Sequence, residues 1–203
     1  MAAASSNIQI KSAELQAADD YYTLSADVDI SFDETIEEAI NKGVPLTFLI
    51  EFQAVSPRKY WFDDEIVTAT TSVMLSYHAL SRQYLVNRGK HQQSFETLNE
   101  AKEELAQLND WKVIDKSLIE KGEVYNAALL IRLDQTKLPK AIQVDTISTE
   151  KWNLSSQKYA WSLRDLSKDS SKEPAVKEPA SKDSAKEPAS KEPASKDSAK
   201  EPK

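Results

Sequence analysis

The sequence predicts a mainly β (α+β) fold: an antiparallel β-sandwich, immunoglobulin-like, with one or two short helices and a disordered C-terminal tail. Three observations predict it. Apolar and polar residues alternate with period two along several long segments. Two other segments begin with helix-capping residues. From Ser167 onward the only apolar residue larger than alanine is Val176. The 203 residues therefore divide into a flexible start (1–7), one β-rich domain (8–166) and a tail (167–203). A domain of that length buries about 70 % of its unfolded surface around a single core.

The alternation is clearest from Tyr22 to Phe32, where every even residue is apolar and the odd ones are Thr23, Ser25, Asp27, Asp29 and Ser31. Such a period places one side of a strand in the core and the other in water. It recurs through Val67, Ala69, Thr71, Val73, Leu75 and Tyr77, and again through Tyr125, Ala127, Leu129, Ile131 and Leu133. Val44 to Phe52 is more continuously apolar, as a central strand covered on both faces would be. Ile8 to Leu15 reads as a shorter, weaker strand, and the aromatic-rich Asn153 to Leu163 as the last one. In all, seven to nine strands are expected. Leu24, Val28, Ile30, Leu46, Phe48, Ile50, Val73, Leu75, Leu129 and Ile131 should form the core.

Between Tyr77 and Tyr84 the alternation breaks, which predicts a β-hairpin closed by facing tyrosines, with His78 in its loop. A second turn is expected at Asn87-Arg88-Gly89, with His91 just after the hairpin. Asp33 can cap a helix over Glu34 to Lys42, its early acids suiting the positive helix start and Gly43 supplying the left-handed stop. Thr97-Leu98-Asn99-Glu100 is a capping box, and Leu98, Ala101, Leu105 and Leu108 fall on one helical face, so this helix should run to Asn109-Asp110. Trp111 to Ile114 then reads as a return strand.

The tail repeats itself: Lys172 to Ala185 and Lys186 to Ala199 differ only at Val176 against Ser190. It has nothing to bury, so it cannot offset its conformational entropy. A spacer or tether and a repeat expansion without a role are both compatible with it.

Composition narrows the function. The formal net charge is −7, and Lys168 to Lys203 holds nine lysines against eight acids, so the domain itself is acidic. Nucleic-acid affinity comes mainly from cations neutralising phosphates, and this body repels them. The three glycines are scattered, which excludes the clustered-glycine loop that cradles a nucleotide. The absence of cysteine removes disulfides, thiolate catalysis and Cys-ligated zinc. No cofactor or metal is expected. No segment approaches the ~20 apolar residues of a membrane span, and the start lacks the basic and apolar regions of an export signal. That start fits a cytoplasmic protein, or a chain beginning just after a removed signal with Met1 supplied for expression.

Candidate chemistry is sparse. His78 and His91 flank the hairpin and are the only histidines, a poor metal set without nearby carboxylates. The acid pairs Asp19-Asp20 and Asp63-Asp64 have polar flanks that would not separate two carboxyl pKa values, so solvated loop acids are expected. A hydrolase-like enzyme using carboxylates with His78 or His91 is the enzymatic alternative. The segment inviting a binding role is Ser56 to Glu65, where Tyr60, Trp61 and Phe62 cannot all face one core from a strand. With the hairpin it suggests an interaction patch of Arg58, Lys59, Tyr60, Trp61, Arg82 and Tyr84. A plainer reading is a strand crossing a corner, with Trp61 under a helix and Arg58 paired to an acid.

Pro57-Arg58-x-Tyr60-Trp61-x-Asp63, Leu75-Ser76-Tyr77-x-x-Leu80-x-Arg82-Gln83-Tyr84-x-Val86, Leu138-Pro139-Lys140 and Trp152-Asn153-Leu154 together resemble the bacterial domain of unknown function 4390, over about Ile8 to Leu163. The resemblance implies an exported protein of Gram-negative bacteria, periplasmic or secreted, of a kind labelled proline-rich signal-peptide protein. It implies no catalytic residues. Its gene neighbourhood suggests a periplasmic modulator of a membrane sensor kinase as a further alternative. The function expected first is a non-enzymatic binding or accessory protein of the envelope, with an unknown protein or envelope component as partner.

Overall fold

A computed structural model describes residues 6–58, 64–120, 122–146 and 150–163. Lys59, Tyr60, Trp61, Phe62, Asp63 and the 167–203 tail lie outside the described residues. The described residues form nine strands in two antiparallel sheets with a shared core, a sandwich-like and mainly β architecture.

The smaller sheet has the order β1-β2-β7, from β1 (Asn7–Ala17), β2 (Tyr21–Ser31) and β7 (Gln107–Asp115). The larger has the order β6-β5-β4-β3-β8-β9, from β3 (Leu46–Ser56), β4 (Asp64–His78), β5 (Gln83–Arg88), β6 (His91–Phe95), β8 (Tyr125–Leu133) and β9 (Tyr159–Leu163). Strands β3 to β6 run as a meander, each beside the next. Register aligns the apolar sets: Phe48 faces Leu133 and Val73, Ile50 faces Ile131, and Phe52 faces Leu129. Because side chains alternate across a strand, these residues share one face. That face meets Leu24, Val28, Ile8 and Ile114 of the smaller sheet in one buried cluster.

Two helices close the sandwich. In α1 (Glu34–Asn41) the Asp33 carboxylate accepts the Ile36 N–H at 2.9 Å, and Gly43, at φ +89°, ends the helix. Ile36, Ala39 and Ile40 are buried. In α2 (Leu98–Ala106) the Thr97–Glu100 capping box forms as its sequence requires, and Ala101 and Leu105 are buried. Lys102 ties the helices together through Glu37 at 3.3 Å. A third helix, α3 (Lys140–Thr146), follows Pro139 and has no counterpart among the helices expected from the sequence.

Several expectations need correction. Helix α2 stops at Ala106, not at Asn109-Asp110, and Leu108 is buried from strand β7. Gln107 is already extended (φ −91°, ψ 122°), and the kink lies inside the strand at Asp110, whose φ is +51°. Pairing of this stretch with β2 decides against its helical period. Ile30 is half-buried, although Leu24 and Val28 beside it are buried. Strand β3 is central as expected, but Leu49, Glu51 and Gln53 on its second face are only half-covered. Asn7 already belongs to β1, paired with Ser31. Arg88 sits in β5, and the turn is Gly89-Lys90. Strand β6 is an addition to the expected strands, because His91-Gln92-Gln93-Ser94 is wholly exposed and carries no alternation. The last strand is shorter than its aromatic content suggests: β9 starts at Tyr159, and the residues before it bond to β8 as single contacts, Leu133 N–H to Leu154 O and Ser156 N–H to Ile131 O, both at 2.8 Å.

Candidate interaction surface

The most unusual local structure is the β4–β5 hairpin. Tyr77 and Tyr84 face each other across it with ring centroids 4.9 Å apart and planes tilted by 47°, the offset geometry that aromatic quadrupoles favour. The Tyr84 hydroxyl donates to Asn41 Oδ1 at 2.6 Å, fastening the hairpin base to the last residue of α1. Burial first, then the neighbouring Tyr77 and Glu37, raise the Tyr84 pKa above the ordinary phenol value. The hydroxyl therefore stays a proton donor at neutral pH.

The loop itself is also pinned. His78 Nδ1 accepts the Ser81 N–H at 3.3 Å and lies 2.9 Å from Ser81 Oγ, so the neutral ring carries its proton on Nε2. Arg82 closes the loop in the left-handed region, at φ +56°. A non-glycine residue there is sterically costly unless its surroundings hold it. At the tip, Leu80 is 93 % exposed, against 46 % for Leu118 and 42 % for Val124, the other exposed large apolar residues described. An isolated exposed leucine is ordinary. A leucine held out on a loop with both ends fixed is a preformed anchor, because little loop entropy remains to be lost on contact.

The surroundings of this tip have their own charge character. From Ile66 to Phe95, thirty residues contain no Asp or Glu, whereas the chain's average would supply about five. Within the same run stand Arg82, Arg88 and Lys90. From Ile66 onward the β4–β5–β6 meander thus carries only cationic and neutral side chains on an acidic protein. Leu80 does not belong to the patch expected from the sequence, and of this run only Arg82 and Tyr84 do. The acid-free run is visible in the sequence, but the exposure of Leu80 depends on how the loop is held.

The expected patch does not come together as one surface. Asp64 faces Ser56 at one end of β4 and Tyr77 faces Tyr84 near the other, thirteen residues away, or about 40 Å at the usual strand rise. Arg58 is at the first end, ion-paired with Asp64, whereas Arg82 and Tyr84 are at the second. Lys59, Tyr60 and Trp61 lie outside the described residues. Of the hairpin pair, Arg82 is exposed and Tyr84 half-buried, its hydroxyl turned to α1.

The histidines do not meet either. His78 is the last residue of β4 and faces Gln83, while His91 opens β6 and faces Arg88, five residues along β5 or about 17 Å. Among the described residues no three His, Asp or Glu side chains are grouped to hold a metal ion. Among the described residues, shallow grooves of about 380 Å³ beside Asn7–Ile10 and Gln157–Tyr159 and of about 420 Å³ beside Lys11, Asp29 and Lys102 are open. Neither is lined by a histidine. Among the described residues no helix is long and apolar enough to cross a membrane.

Beneath the hairpin, Arg88 joins β5 to α2. Its half-buried guanidinium donates through Nη2 to the carbonyls of Glu104 (3.1 Å), which also accepts the Gln107 N–H, and of Gln107 (2.7 Å), setting a cation at the C-terminal end of α2. Burial lowers the Arg88 pKa, and Glu104 partly restores it.

No curated protein and no solved structure matches the chain. The family described as domain of unknown function (DUF4390) matches residues 5–162, almost the whole β-rich part and the same extent as the motif resemblance. On that match, the chain belongs to the DUF4390 family.

Proposed function

We propose that this protein is a non-enzymatic, exported binding or accessory module of the bacterial envelope, and that it engages its partner through the β4–β5 hairpin tip. The observation that carries the reading is Leu80, fully presented on a loop fixed by the tyrosine pair, the His78–Ser81 contacts and the Tyr84–Asn41 hydrogen bond. Its chemistry specifies the partner: an apolar pocket for the leucine, bordered by an anionic group for Arg82. Burying a leucine in such a pocket is worth about 1.5–3 kcal/mol, enough for one anchor of a modest interface. The strands that carry the tip hold no acid between Ile66 and Phe95, so they add no repulsion of that anionic group. The envelope location rests on the family resemblance.

The reading is tested by affinity capture from envelope extract with wild type, Leu80→Asp, Arg82→Glu and His78→Ala/His91→Ala. A partner recovered with wild type and with the histidine double variant, but reduced at least about tenfold with Leu80→Asp and with Arg82→Glu, is the expected result. Equal recovery with all four proteins would reject the hairpin as the contact.

A further inference from the structure

We propose that the free edge of β6 pairs with β6 of a second copy of this chain, antiparallel and in one register, joining two large sheets into one. Edge strands expose unpaired N–H and C=O groups, and proteins usually blunt them with bulges, proline, lysine or a covering element. The other edges here are treated so. Strand β1 has a bulge between Ile10 and Ser12, with Lys11 paired to Asp29 at 3.4 Å. Strand β7 has two register shifts against β2 and the Asp110 kink. The edge of β9 is flanked by β1 across the 380 Å³ groove. By contrast, β6 pairs with β5 in unbroken register and holds no lysine or proline, and no described strand lies on its outer side.

The register follows from the turn. Gly89, at φ +61°, and Lys90 form a two-residue loop, so Arg88 and His91 make the closing hydrogen-bonded pair. Ladder bonds alternate in an antiparallel pair. The backbone groups of His91, Gln93 and Phe95 therefore point to β5, and those of Gln92 and Ser94 point outward. A two-fold axis at Gln93 sets Gln92 opposite Ser94 of the second copy, and Ser94 opposite its Gln92. Those are the residues whose ladder groups no described strand takes up, and the pairing gives four new backbone hydrogen bonds. The same axis brings Lys90 opposite Glu96 of the second copy, twice, so the charges bounding the strand are complementary in this register. The contact is self-complementary and closes as a dimer.

Two measurements on the full chain decide it. In sedimentation across a concentration series to about 1 mM, wild type should dimerise, and Ser94→Pro, which removes an outward N–H but no bond to β5, should weaken the dimer at least about tenfold. Lys90→Glu should weaken it similarly, and Lys90→Glu/Glu96→Lys should restore it. The second measurement uses the absence of cysteine. Gln93→Cys stands at the axis in a non-hydrogen-bonded pair, where Cα atoms are about 4.5 Å apart and within disulfide reach. Mild oxidation should link it into covalent dimers, while Gln92→Cys, facing Ser94, should stay unlinked. A wild-type chain that is monomeric throughout, a dimer indifferent to the charge swap, or equal cross-linking from positions 92 and 93 would overturn the proposal. If Ser94→Pro fails to fold by circular dichroism, the charge swap and the two cysteine variants still separate a β6-paired dimer from any other.

Discussion

The two halves of the large sheet are built to different ends. In the β3–β8 half, Phe48, Ile50, Phe52, Ala54, Leu129 and Ile131 are buried on one face, and Glu51 and Arg132 pair at 2.8 Å on the other. In the β4–β5–β6 half only Val73, Leu75 and Val86 are buried, no acid appears after Glu65, and one end carries an almost fully exposed leucine. The first half accounts for most of the sheet's apolar burial. The second continues the same sheet through the β3–β4 ladder, and its outer strands are tied down at discrete points: the tyrosine pair, the Asn41 bond and the Arg88 guanidinium. One sheet can thus hold the fold with one edge and present groups with the other, because each strand's burial depends on what covers it.

The contrast breaks if substitutions in the two halves cost the same. Phe52→Ala, in the centre of the packed half, should lower stability by about 3–5 kcal/mol in urea unfolding, through lost apolar transfer and the cavity left behind. Arg88→Met should cost about 2 kcal/mol, since two charge-assisted hydrogen bonds to the end of α2 are lost together. Tyr84→Phe keeps the ring contact and removes only the bond to Asn41, so about 1 kcal/mol is expected by the same measurement. Leu80→Asp should leave the unfolding midpoint within about 0.5 kcal/mol of wild type, because the side chain has nothing to lose.

The smallest effect lies in neither half and serves as a control. Hydrogen bonds from the Ser117 hydroxyl and N–H hold the Asp115 carboxyl below its ordinary pKa. A lowered folded-state pKa gives stability present above the unfolded value and lost as pH falls through the folded one. Asp115→Asn should therefore lower the melting temperature slightly at neutral pH and flatten the acid side of the profile, its difference from wild type closing as pH falls below about pH 4.

Much of the fold was legible. The alternations starting at Tyr22, Val67 and Tyr125 are β2, β4 and β8, and nine of the ten named core residues are buried, Ile30 being the half-buried one. Asp33 and the Thr97–Glu100 box cap helices where they stand, and Tyr77 meets Tyr84. The candidate site was less legible. Nothing near Arg58 in the sequence says that Arg82 lies at the far end of a fifteen-residue strand. Nothing near His78 sets its distance from His91, and the polar segment His91–Phe95 has no pattern to mark it as an edge.

What the sequence determined alone is what neighbours a few positions apart can decide. A side chain's face within a strand follows from period two, and a helix start follows from a hydroxyl or carboxylate reaching N–H groups three residues on. Tertiary structure decided where β7 takes over from α2, which strands become edges, and which loop residues stay in water. Those outcomes depend on register summed over strands far apart in the chain, and the total burial of the assembled sheets, not any local preference, selects among the registers.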